Sequence, residues 1–173
     1  NRKGGSQNLE RQDEHEAKTD QLLRLIEYLN EMPVLQFRFD GFEADDVIAF
    51  IVQSARLKQA QKIIVSCDKD YLQLCNDSTI VYCPTTNKIW NKNRVLEEFH
   101  IHPTNFALAK AIVGDKSDNI KGVPRIGFKT LVKLFPWFAN ADLISVEDVI
   151  SEGREKRLAN IVNGTGLIKE NLR

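Results

Sequence analysis

The feature that most constrains the fold is residues 111–130, AIVGDKSDNIKGVPRIGFKT, where a glycine turn joins two apolar patterns of helical period. The first half, GDKSDN, is acidic and polar, which is typical of a cation site. The second half, GVPRIG, is a tight turn leading into an amphipathic segment with Lys129 and Lys133. Glycines let a backbone come close to a ligand, and free N–H groups at a helix start bind anions. The stretch therefore predicts a cation site beside an anion site, most simply a phosphate.

Overall composition excludes several classes of protein but does not reveal a partner. The 173 residues suffice for one domain, or one domain with a small appendage, and no run of about 18 apolar residues predicts a membrane span. Net charge is +0, yet residues 40–46 hold four acids and no bases, and residues 110–133 hold six bases against two acids. A negative centre beside a positive strip suits a metal site next to a polyanion. Chance segregation on a solvated surface is the alternative.

The three cysteines, Cys67, Cys75 and Cys83, form no C-x-x-C pair. An odd number without that spacing argues against a zinc site or a disulfide framework. Cys67 belongs to a strand-like apolar run, which predicts a buried and reduced thiol. Reduced cysteines favour an intracellular setting.

Hydrophobic period predicts a helix–strand order that begins after residues 1–19, a polar stretch that is predicted to be a mobile segment passing into a helix. Predicted strands cover 34–39, 62–67, 79–83 and 88–90, the last two as a hairpin. Predicted helices cover 20–32, 43–55, 71–74, 94–99, 103–113, 128–135, 146–150 and 152–162, with a helical tail from 167. Alternating strands and helices followed by helices alone predict an open α/β sheet with a helical segment after it. The β-branched run at 62–67 is typical of a strand buried in a parallel sheet.

Three short acidic clusters follow predicted strands or helices, where sites of open α/β sheets gather. They comprise Glu43, Asp45 and Asp46, then Asp68 and Asp70, then Asp115 and Asp118. Each cluster alone has an ordinary explanation as a helix first turn, a helix cap or a turn. If they converge, however, two like charges about 4 Å apart cost about 4 kcal/mol at an effective dielectric near 20. A cation would relieve that repulsion.

Carboxylates without histidine or cysteine favour Mg²⁺ or Mn²⁺ over zinc, and two such ions about 4 Å apart suit phosphodiester hydrolysis. We therefore expect the aspartates to hold two Mg²⁺ ions, with Mn²⁺ as the substitute, directly or through water. Glu43 would hold metal or orient a metal-bound water. His15, His100 and His102 lie away from the clusters and have no predicted catalytic role.

Four motifs occur in order: EADD at 43–46, SCDKD at 66–70, GDKSDN at 114–119 and GVPRIGFKT at 122–130. Over residues 42–135 they resemble the 5′-nuclease superfamily, which includes flap endonucleases, the 5′→3′ exonuclease domain of bacterial DNA polymerase I and bacteriophage exonucleases. The resemblance implies a PIN-like parallel α/β sheet flanked by helices, followed by a helical helix–three-turn–helix segment of the helix–hairpin–helix type. It places the first part at residues 1–102, with an arch remnant at 1–19, and the DNA-binding part at 103–173.

The same resemblance implies a metal-dependent, structure-selective 5′ nuclease acting in DNA replication and repair. Its substrates would be DNA with 5′ flaps or free 5′ ends, including RNA–DNA primers, and it would be a monomer in a bacterial or phage-infected cytoplasm. A K⁺ ion would bind backbone carbonyls of Gly122, Val123 and Ile126. Nucleic acid would be contacted by Arg2, Lys3, Lys69, Lys116, Lys121, Arg125, Gly127, Lys129 and Thr130.

Two departures from the family pattern qualify these expectations. Family members begin with a strand carrying a metal-binding aspartate, and a second aspartate precedes the arch, whereas this sequence has neither, so we expect a fragment. Arg125 stands where glycine is frequent, and a positive φ there would strain an arginine. A catalytically impaired DNA-binding fragment is therefore the main alternative. A PIN-type ribonuclease is a third, against which the glycine turn argues.

Overall fold

The structure is a computed structural model that describes the backbone of residues 3–172 and the side chains of residue 14 and residues 16–172. The chain divides into two compact units, Asn1–Phe42 and Glu43–Arg173. None of the helices in the described range is both long and apolar enough to cross a membrane. The division predicted near residue 102 remains a prediction.

The first unit is dominated by one helix, α1, which spans Lys3–Asn30. The helix predicted to begin within residues 1–19 therefore begins earlier than expected, at Lys3. The reason lies in the composition after the two early glycines, because Leu, Glu, Arg, Gln, Ala and Lys all favour helix. The apolar stripe predicted on this helix is present but exposed, with Leu22 at 57% and Ile26 at 40%. Arg2 lies outside the described residues, as does the side chain of Lys3.

Residues 34–39 form neither a helix nor the predicted strand. A strand needs a neighbour to bond its N–H and C=O groups, and in the described range this segment has none. Its side chains remain in solvent, with Leu35 at 85% exposed. The turn predicted after it is confirmed, and Gly41 has a φ of 83° there.

The second unit contains a three-stranded sheet in the order β1-β2-β3. Its strands are β1 (Lys62–Val65), β2 (Thr79–Cys83) and β3 (Lys88–Trp90). β1 pairs parallel with β2, and β2 pairs antiparallel with β3 through the predicted hairpin. A mixed α/β fold is confirmed. The expected burial of β1 is wrong, because Ile64 is buried but Ile63 and Val65 are 59% and 65% exposed.

Helices surround this sheet and make up the rest of the second unit. The α-helices are α2 (Ala44–Gln53), α3 (Lys92–Phe99), α4 (Phe106–Val113), α5 (Phe128–Leu134), α6 (Val146–Glu155), α7 (Ala159–Asn163) and α8 (Thr165–Glu170). Short 3-10 helices cover Ala55–Leu57, Lys69–Leu74, Pro103–Asn105 and Pro136–Ala139. A two-stranded ribbon pairs β4 (Gly114–Asp115) with β5 (Ile120–Lys121). The helices predicted at 146–150 and 152–162 divide instead after Glu155, since Arg157 adopts a φ of 55°.

One hydrophobic core extends from Ile64 in β1 to Ile168 in α8. Its largest fully buried members are Phe106, Phe135 and Phe138. Burying a side chain of this size contributes about 1.5–3 kcal/mol relative to leaving it exposed. This core therefore connects the sheet with the helices that follow it, and α4 contacts the 3-10 helix Lys69–Leu74, α5 and α8.

A buried amide fixes the start of α4. Asn105 is 1% exposed and donates from Nδ2 to the carbonyls of Asn140 at 2.9 Å and Asp142 at 3.0 Å. Its Oδ1 accepts from the N–H of Ile144 at 3.0 Å. Because all three groups belong to a loop without helix or strand partners, Asn105 replaces the hydrogen bonds that the loop would otherwise lack.

Candidate acidic site and glycine turn

The first part of the site is the turn after β1. Ser66 Oγ accepts from the N–H of Asp68 at 3.1 Å, and Asp68 Oδ1 accepts from the N–H of Asp70 at 2.9 Å. Asp68 is thus the N-cap of the 3-10 helix Lys69–Leu74. Ordinary capping chemistry holds both carboxylates at the carboxyl end of the strand, as the sequence predicts.

The second part follows α4, where Gly114 leaves the helix with a φ of 81°. A Cβ on Gly114 would lie 2.3 Å from the nitrogen of Gly122, and a Cβ on Gly122 would lie 1.9 Å from the carbonyl oxygen of Val113. The ribbon therefore depends on glycine at both positions. Asp115 is held in this ribbon by the N–H of Ser117 at 2.8 Å and by the Ser117 hydroxyl.

Lys110 connects the two parts from the last turn of α4. Its Nζ contacts Asp70 Oδ1 and lies 2.6 Å from Asp115 Oδ2. Burial alone would lower the pKa of Lys110, but its hydrogen bonds to Asp115 and Asp70 outweigh this and raise the pKa above its usual value. The hydrogen bond from Lys110, with that from Ser117, holds the pKa of Asp115 well below its usual range. The site therefore contains the Lys110 ammonium between the carboxylates of Asp70 and Asp115.

A cavity of about 780 Å³ opens over this cluster and contains four of the seven predicted acids. These are Asp68, Asp70, Asp115 and Asp118. Phe99, Phe106 and Phe128 line its apolar side, where their rings pack 5.2–5.8 Å apart. The convergence predicted for the second and third acidic clusters is thus present in the structure.

The cluster at the start of α2 lies outside this cavity. Asp45 shares a neighbour with the second cluster, since burial and then the charges of Asp45, Asp68 and Asp70 raise the pKa of Tyr71. Asp45 Oδ1 accepts from the N–H of Asp46 at 3.1 Å, and Asp46 itself is exposed. Glu43 is the N-cap of α2 but forms no capping bond with its side chain. The assignment of Glu43, Asp45 and Asp46 to a metal therefore remains a prediction.

The donor chemistry fits a hard divalent cation, because four carboxylates face one cavity without imidazole or thiolate donors. Their arrangement does not enclose one. Across the described residues, no group of three or more His, Cys, Asp or Glu is placed to hold a metal ion. Lys110 occupies the space between Asp70 and Asp115 and supplies the compensating charge.

The glycine turn lies between the ribbon and α5. The N–H of Val123 donates to the Ile112 carbonyl at 2.7 Å, and the N–H of Ile126 donates to the Val123 carbonyl at 3.1 Å. Arg125 has a φ of 67°, so the positive φ anticipated at this position is present. Gly127 is the N-cap of α5, and a Cβ there would meet nothing within 4 Å. The turn consequently presents an open backbone surface at the start of the helix.

Side chains from the C-terminal helices hold this turn in place. Asn171 donates from Nδ2 to the carbonyls of Ala111 at 2.8 Å and Lys121 at 2.9 Å. Asn160 donates to the Pro124 carbonyl at 3.1 Å. The predicted basic contacts around the turn remain in solvent, namely Lys69, Lys116, Lys121, Arg125 and Lys129, with Thr130 beside them.

Two features of the site were missed from the sequence. From the sequence, Lys110 is included only in the basic strip. Its position in the last turn of a predicted helix, close in sequence to Asp115, is the signal that could have indicated a contact with that acid. The cysteine prediction is wrong: Cys67 is exposed and forms a disulfide with Cys83, 16 residues away. Parallel pairing of β1 and β2 brings the two strand ends together, and spacing in the sequence does not reveal that pairing. The buried free thiol of this protein is Cys75 instead, and burial raises its pKa to about 11.

Known proteins similar to this chain support a nuclease ancestry. A 5′-3′ exonuclease of Buchnera aphidicola subsp. Schizaphis graminum is 38% identical over 120 residues, which are 69% of this chain and 42% of the relative. DNA polymerase I of Bacillus subtilis is 29% identical over 158 residues, covering 88% of this chain and 18% of the relative. This chain therefore spans less than half the length of the curated relatives it matches.

Solved structures of bacteriophage T5 proteins share the fold. A T5 flap endonuclease in complex with DNA and metal ions aligns with a TM-score of 0.72 and 25% identity, over 97% of this chain and 64% of that chain. A T5 5′-exonuclease with divalent metal ions (zinc) aligns with a TM-score of 0.70 and 26% identity, over 92% and 60%. The family model of the 5′-3′ exonuclease N-terminal resolvase-like domain matches residues 8–100. More than half of the sequence thus follows that model, and the chain belongs to the 5′-3′ exonuclease family.

Proposed function

We propose that this chain carries the active surface of a divalent-metal-dependent, structure-selective 5′ nuclease that hydrolyses DNA phosphodiesters. The observation that carries the proposal is the single cavity shared by Asp68, Asp70, Asp115 and Asp118. Its proposed substrates are 5′ flaps and free 5′ ends, including RNA–DNA primers, in replication and repair. The proposed setting is a monomer in the cytoplasm of a bacterial or phage-infected cell.

The four cavity aspartates would hold two Mg²⁺ ions, or Mn²⁺, with Glu43, Asp45 and Asp46 contributing directly or through water. Bound there, divalent cations supply Lewis-acid stabilisation of charge on a phosphate. Lys110 makes an ion pair with Asp70 and with Asp115, and its hydrogen bond lowers the pKa of Asp115. Asp115 is suited to bind a cation, because its lowered pKa keeps its carboxylate negative across the physiological pH range.

The glycine turn would hold the DNA backbone as a helix–hairpin–helix element within a DNA-binding part at residues 103–173. Gly127 leaves the N–H groups at the start of α5 open to a phosphate, and Lys129 and Thr130 lie in the first turn of that helix. Carbonyls of Gly122, Val123 and Ile126 would bind K⁺. The Val123 carbonyl already accepts one hydrogen bond, and a carbonyl oxygen has a second lone pair for a cation.

A fluorescent 5′-flap DNA with Mg²⁺ tests the proposal. We expect the Asp115→Asn, Asp118→Asn variant to lose at least about a hundredfold in cleavage rate, because it removes two carboxylates that would hold the divalent ions, and those ions stabilise the charge on the phosphate. The matched control is Asp142→Asn, Glu155→Gln, which removes two acids that lie outside the cavity. Equal cleavage by the two double variants would remove the site assignment.

A catalytically impaired DNA-binding fragment is the second candidate, favoured because no group of three carboxylates within the described residues is placed to hold a metal ion. It predicts flap binding without cleavage at any Mg²⁺ concentration. Binding through the turn predicts that Lys129→Gln lowers the slope of log affinity against log salt by about one. An RNA hairpin cleaved in preference to the DNA flap would instead favour a PIN-type ribonuclease.

A further inference from the structure

We propose that Cys67 and Cys83 form a reversible thiol–disulfide exchange site, oxidised by small-molecule disulfides, whose state controls the mobility of the acidic turn at residues 66–70. The disulfide joins the residue before Asp68 to the last residue of β2. It stands on the geometry of the two strand ends, so the proposed nuclease activity can fail without affecting it.

Pairing of the strands brings the two cysteines together without help from the sulfur bond. Val65 pairs with Tyr82 at the end of the parallel ladder, and the N–H of Ser66 donates to the Tyr82 carbonyl at 3.0 Å. The two Cα atoms lie 4.4 Å apart, within the range of about 4.4–6.8 Å that disulfides occupy. Because the strand pairing does not depend on the sulfur bond, we expect the two thiols to stay close together in the reduced protein.

The surroundings favour a reversible bond over a permanent structural one. Cys83 is 6% exposed, but Cys67 is exposed and lines the cavity, so a soluble thiol can reach its sulfur. Exposed disulfides are the labile ones in proteins. The Thr85 hydroxyl lies 2.9 Å from Cys67 Sγ and 3.9 Å from Cys83 Sγ. It can donate to either sulfur when the bond opens.

Formation of the bond constrains the backbone that carries the acids. Cys67 lies between Ser66, which accepts from the Asp68 N–H, and Asp68, which caps the following 3-10 helix. In the oxidised protein this turn is covalently attached to β2. In the reduced protein it would be held by non-covalent contacts, namely the Ser66 to Tyr82 hydrogen bond, the two capping bonds and the contact of Lys110 with Asp70. Oxidation is therefore expected to order Asp68 and Asp70.

The exchange requires one small-molecule disulfide, for which oxidised glutathione is the probe. Cys67 Sγ, losing its proton, attacks one glutathione sulfur, and the S–S bond breaks to release a first glutathione thiolate, which takes up that proton. Cys83 Sγ, also losing its proton, attacks Cys67 Sγ and releases the second glutathione in the same way. Two protein thiols are oxidised by two electrons, and one glutathione disulfide is reduced to two thiols. Excess reduced glutathione reverses both steps.

Peptide mapping after alkylation of free thiols tests the exchange on the intact chain. We expect a Cys67–Cys83 linked peptide that appears with oxidised glutathione and disappears with millimolar reduced glutathione, while Cys75 remains a free thiol throughout. Cys67→Ser abolishes the linkage, and its exposed position preserves the fold. Cys75→Ser is the matched control and leaves the linkage unchanged. A linkage that never forms, or that resists reduced glutathione in the folded protein, overturns the proposal.

Hydrogen exchange tests the effect on the turn. Oxidation is expected to slow exchange of the Asp68 and Asp70 amides by about tenfold, and Cys67→Ser removes this response. Cys83→Ala provides a second variant, because either cysteine alone should behave as the reduced protein does. Equal exchange rates in the oxidised and reduced wild-type chains would show that the bond does not control the turn, and would overturn that part.

Discussion

Lys110 is the residue on which the electrostatics of the acidic site depend. It lies between Asp70 and Asp115 and makes a charged contact with each. A bound divalent cation would perform the same neutralisation with twice the charge. The Lys110 ammonium and a bound metal ion are thus expected to compete for Asp70 and Asp115, since either cation neutralises the negative charge of these carboxylates.

Replacing this ammonium with a neutral side chain of similar length, Lys110→Met, tests the competition. Without divalent ions, the free energy of unfolding should fall by about 1.5–3 kcal/mol, the contribution typical of hydrogen bonds to charged groups. Added Mn²⁺ should raise the melting temperature more in Lys110→Met than in the wild type. Lys133→Met, which changes an exposed lysine outside the cavity, should respond as the wild type does. An equal Mn²⁺ effect in all three proteins would contradict the competition.

His102 is expected to make the free energy of unfolding depend on pH. Its Nδ1 accepts from the N–H of Thr104 at 3.3 Å and so must be unprotonated there. Burial, helped by Lys92, lowers the pKa of His102 although Asp77 opposes the shift. A folded pKa below the unfolded value of about 6.5 means that the contribution to stability is complete above that pH and is lost as pH falls through the folded pKa.

We therefore expect the free energy of unfolding to decline between about pH 7 and pH 5, and His102→Asn to remove part of that decline. Asparagine retains a capping oxygen for the Thr104 N–H but does not titrate. His100→Asn is the control, because His100 has a φ of 56° that asparagine also tolerates. Urea titrations at several pH values measure the effect. An unchanged pH profile in His102→Asn would count against this role.

At the scale of elements, two glycines of the turn are expected to have different roles, Gly122 a structural one and Gly127 a ligand-binding one. Gly122→Ala should reduce the free energy of unfolding by at least about 3 kcal/mol, since its Cβ would collide with backbone rather than with a flexible side chain. Gly127→Ala should stay within about 0.5 kcal/mol of the wild type, because its Cβ would meet open space. Denaturant unfolding of both variants provides the comparison. Similar losses at the two positions would refute the distinction.

Gly127→Ala, which is expected to leave stability almost unchanged, should nevertheless weaken the affinity of the folded protein for DNA. If the backbone at the start of α5 approaches a phosphate, a methyl group on Gly127 obstructs it and weakens flap binding while stability is preserved. Electrophoretic mobility shift with the uncleaved flap at fixed salt measures this. Unaltered binding by Gly127→Ala would indicate that nucleic acid does not approach there.

At the scale of the molecule, the continuous core of the second unit predicts cooperative unfolding. The two tryptophans report from different parts of it, Trp90 from β3 and Trp137 from the 3-10 helix Pro136–Ala139. We expect the single-tryptophan variants Trp90→Phe and Trp137→Phe each to show the same urea midpoint by fluorescence and by circular dichroism. Coincident transitions are the signature of two-state unfolding. Midpoints that differ between fluorescence and circular dichroism within one variant would reveal separate folding units, with the boundary predicted near residue 102 as the first place to look.

Local structure in this protein is strongly encoded by neighbouring residues. The hairpin of β2 and β3, the turn at Gly41 and the helix after Glu43 all follow from patterns within a few positions. The positive φ at Arg125 was suggested by the family resemblance instead. The strand predicted at 34–39 is absent because an alternating pattern favours a strand but cannot supply the neighbouring strand that it must pair with. The early start of the helix Lys3–Asn30 was not predicted, because the polar composition of residues 1–19 suggested a mobile segment. Most of those residues nevertheless favour helix.

By itself, the sequence determined the order of the motifs, the residue types available for chemistry and the turns that only glycine allows. Tertiary structure alone decided which acids share a cavity, that Lys110 lies between two of them, and that Cys67 reaches Cys83. The physical reason is distance along the chain. Local hydrogen bonds act over two to four residues, whereas Asp70 and Lys110 are separated by 40 positions and meet only because β1, α4 and the core between them pack in one arrangement.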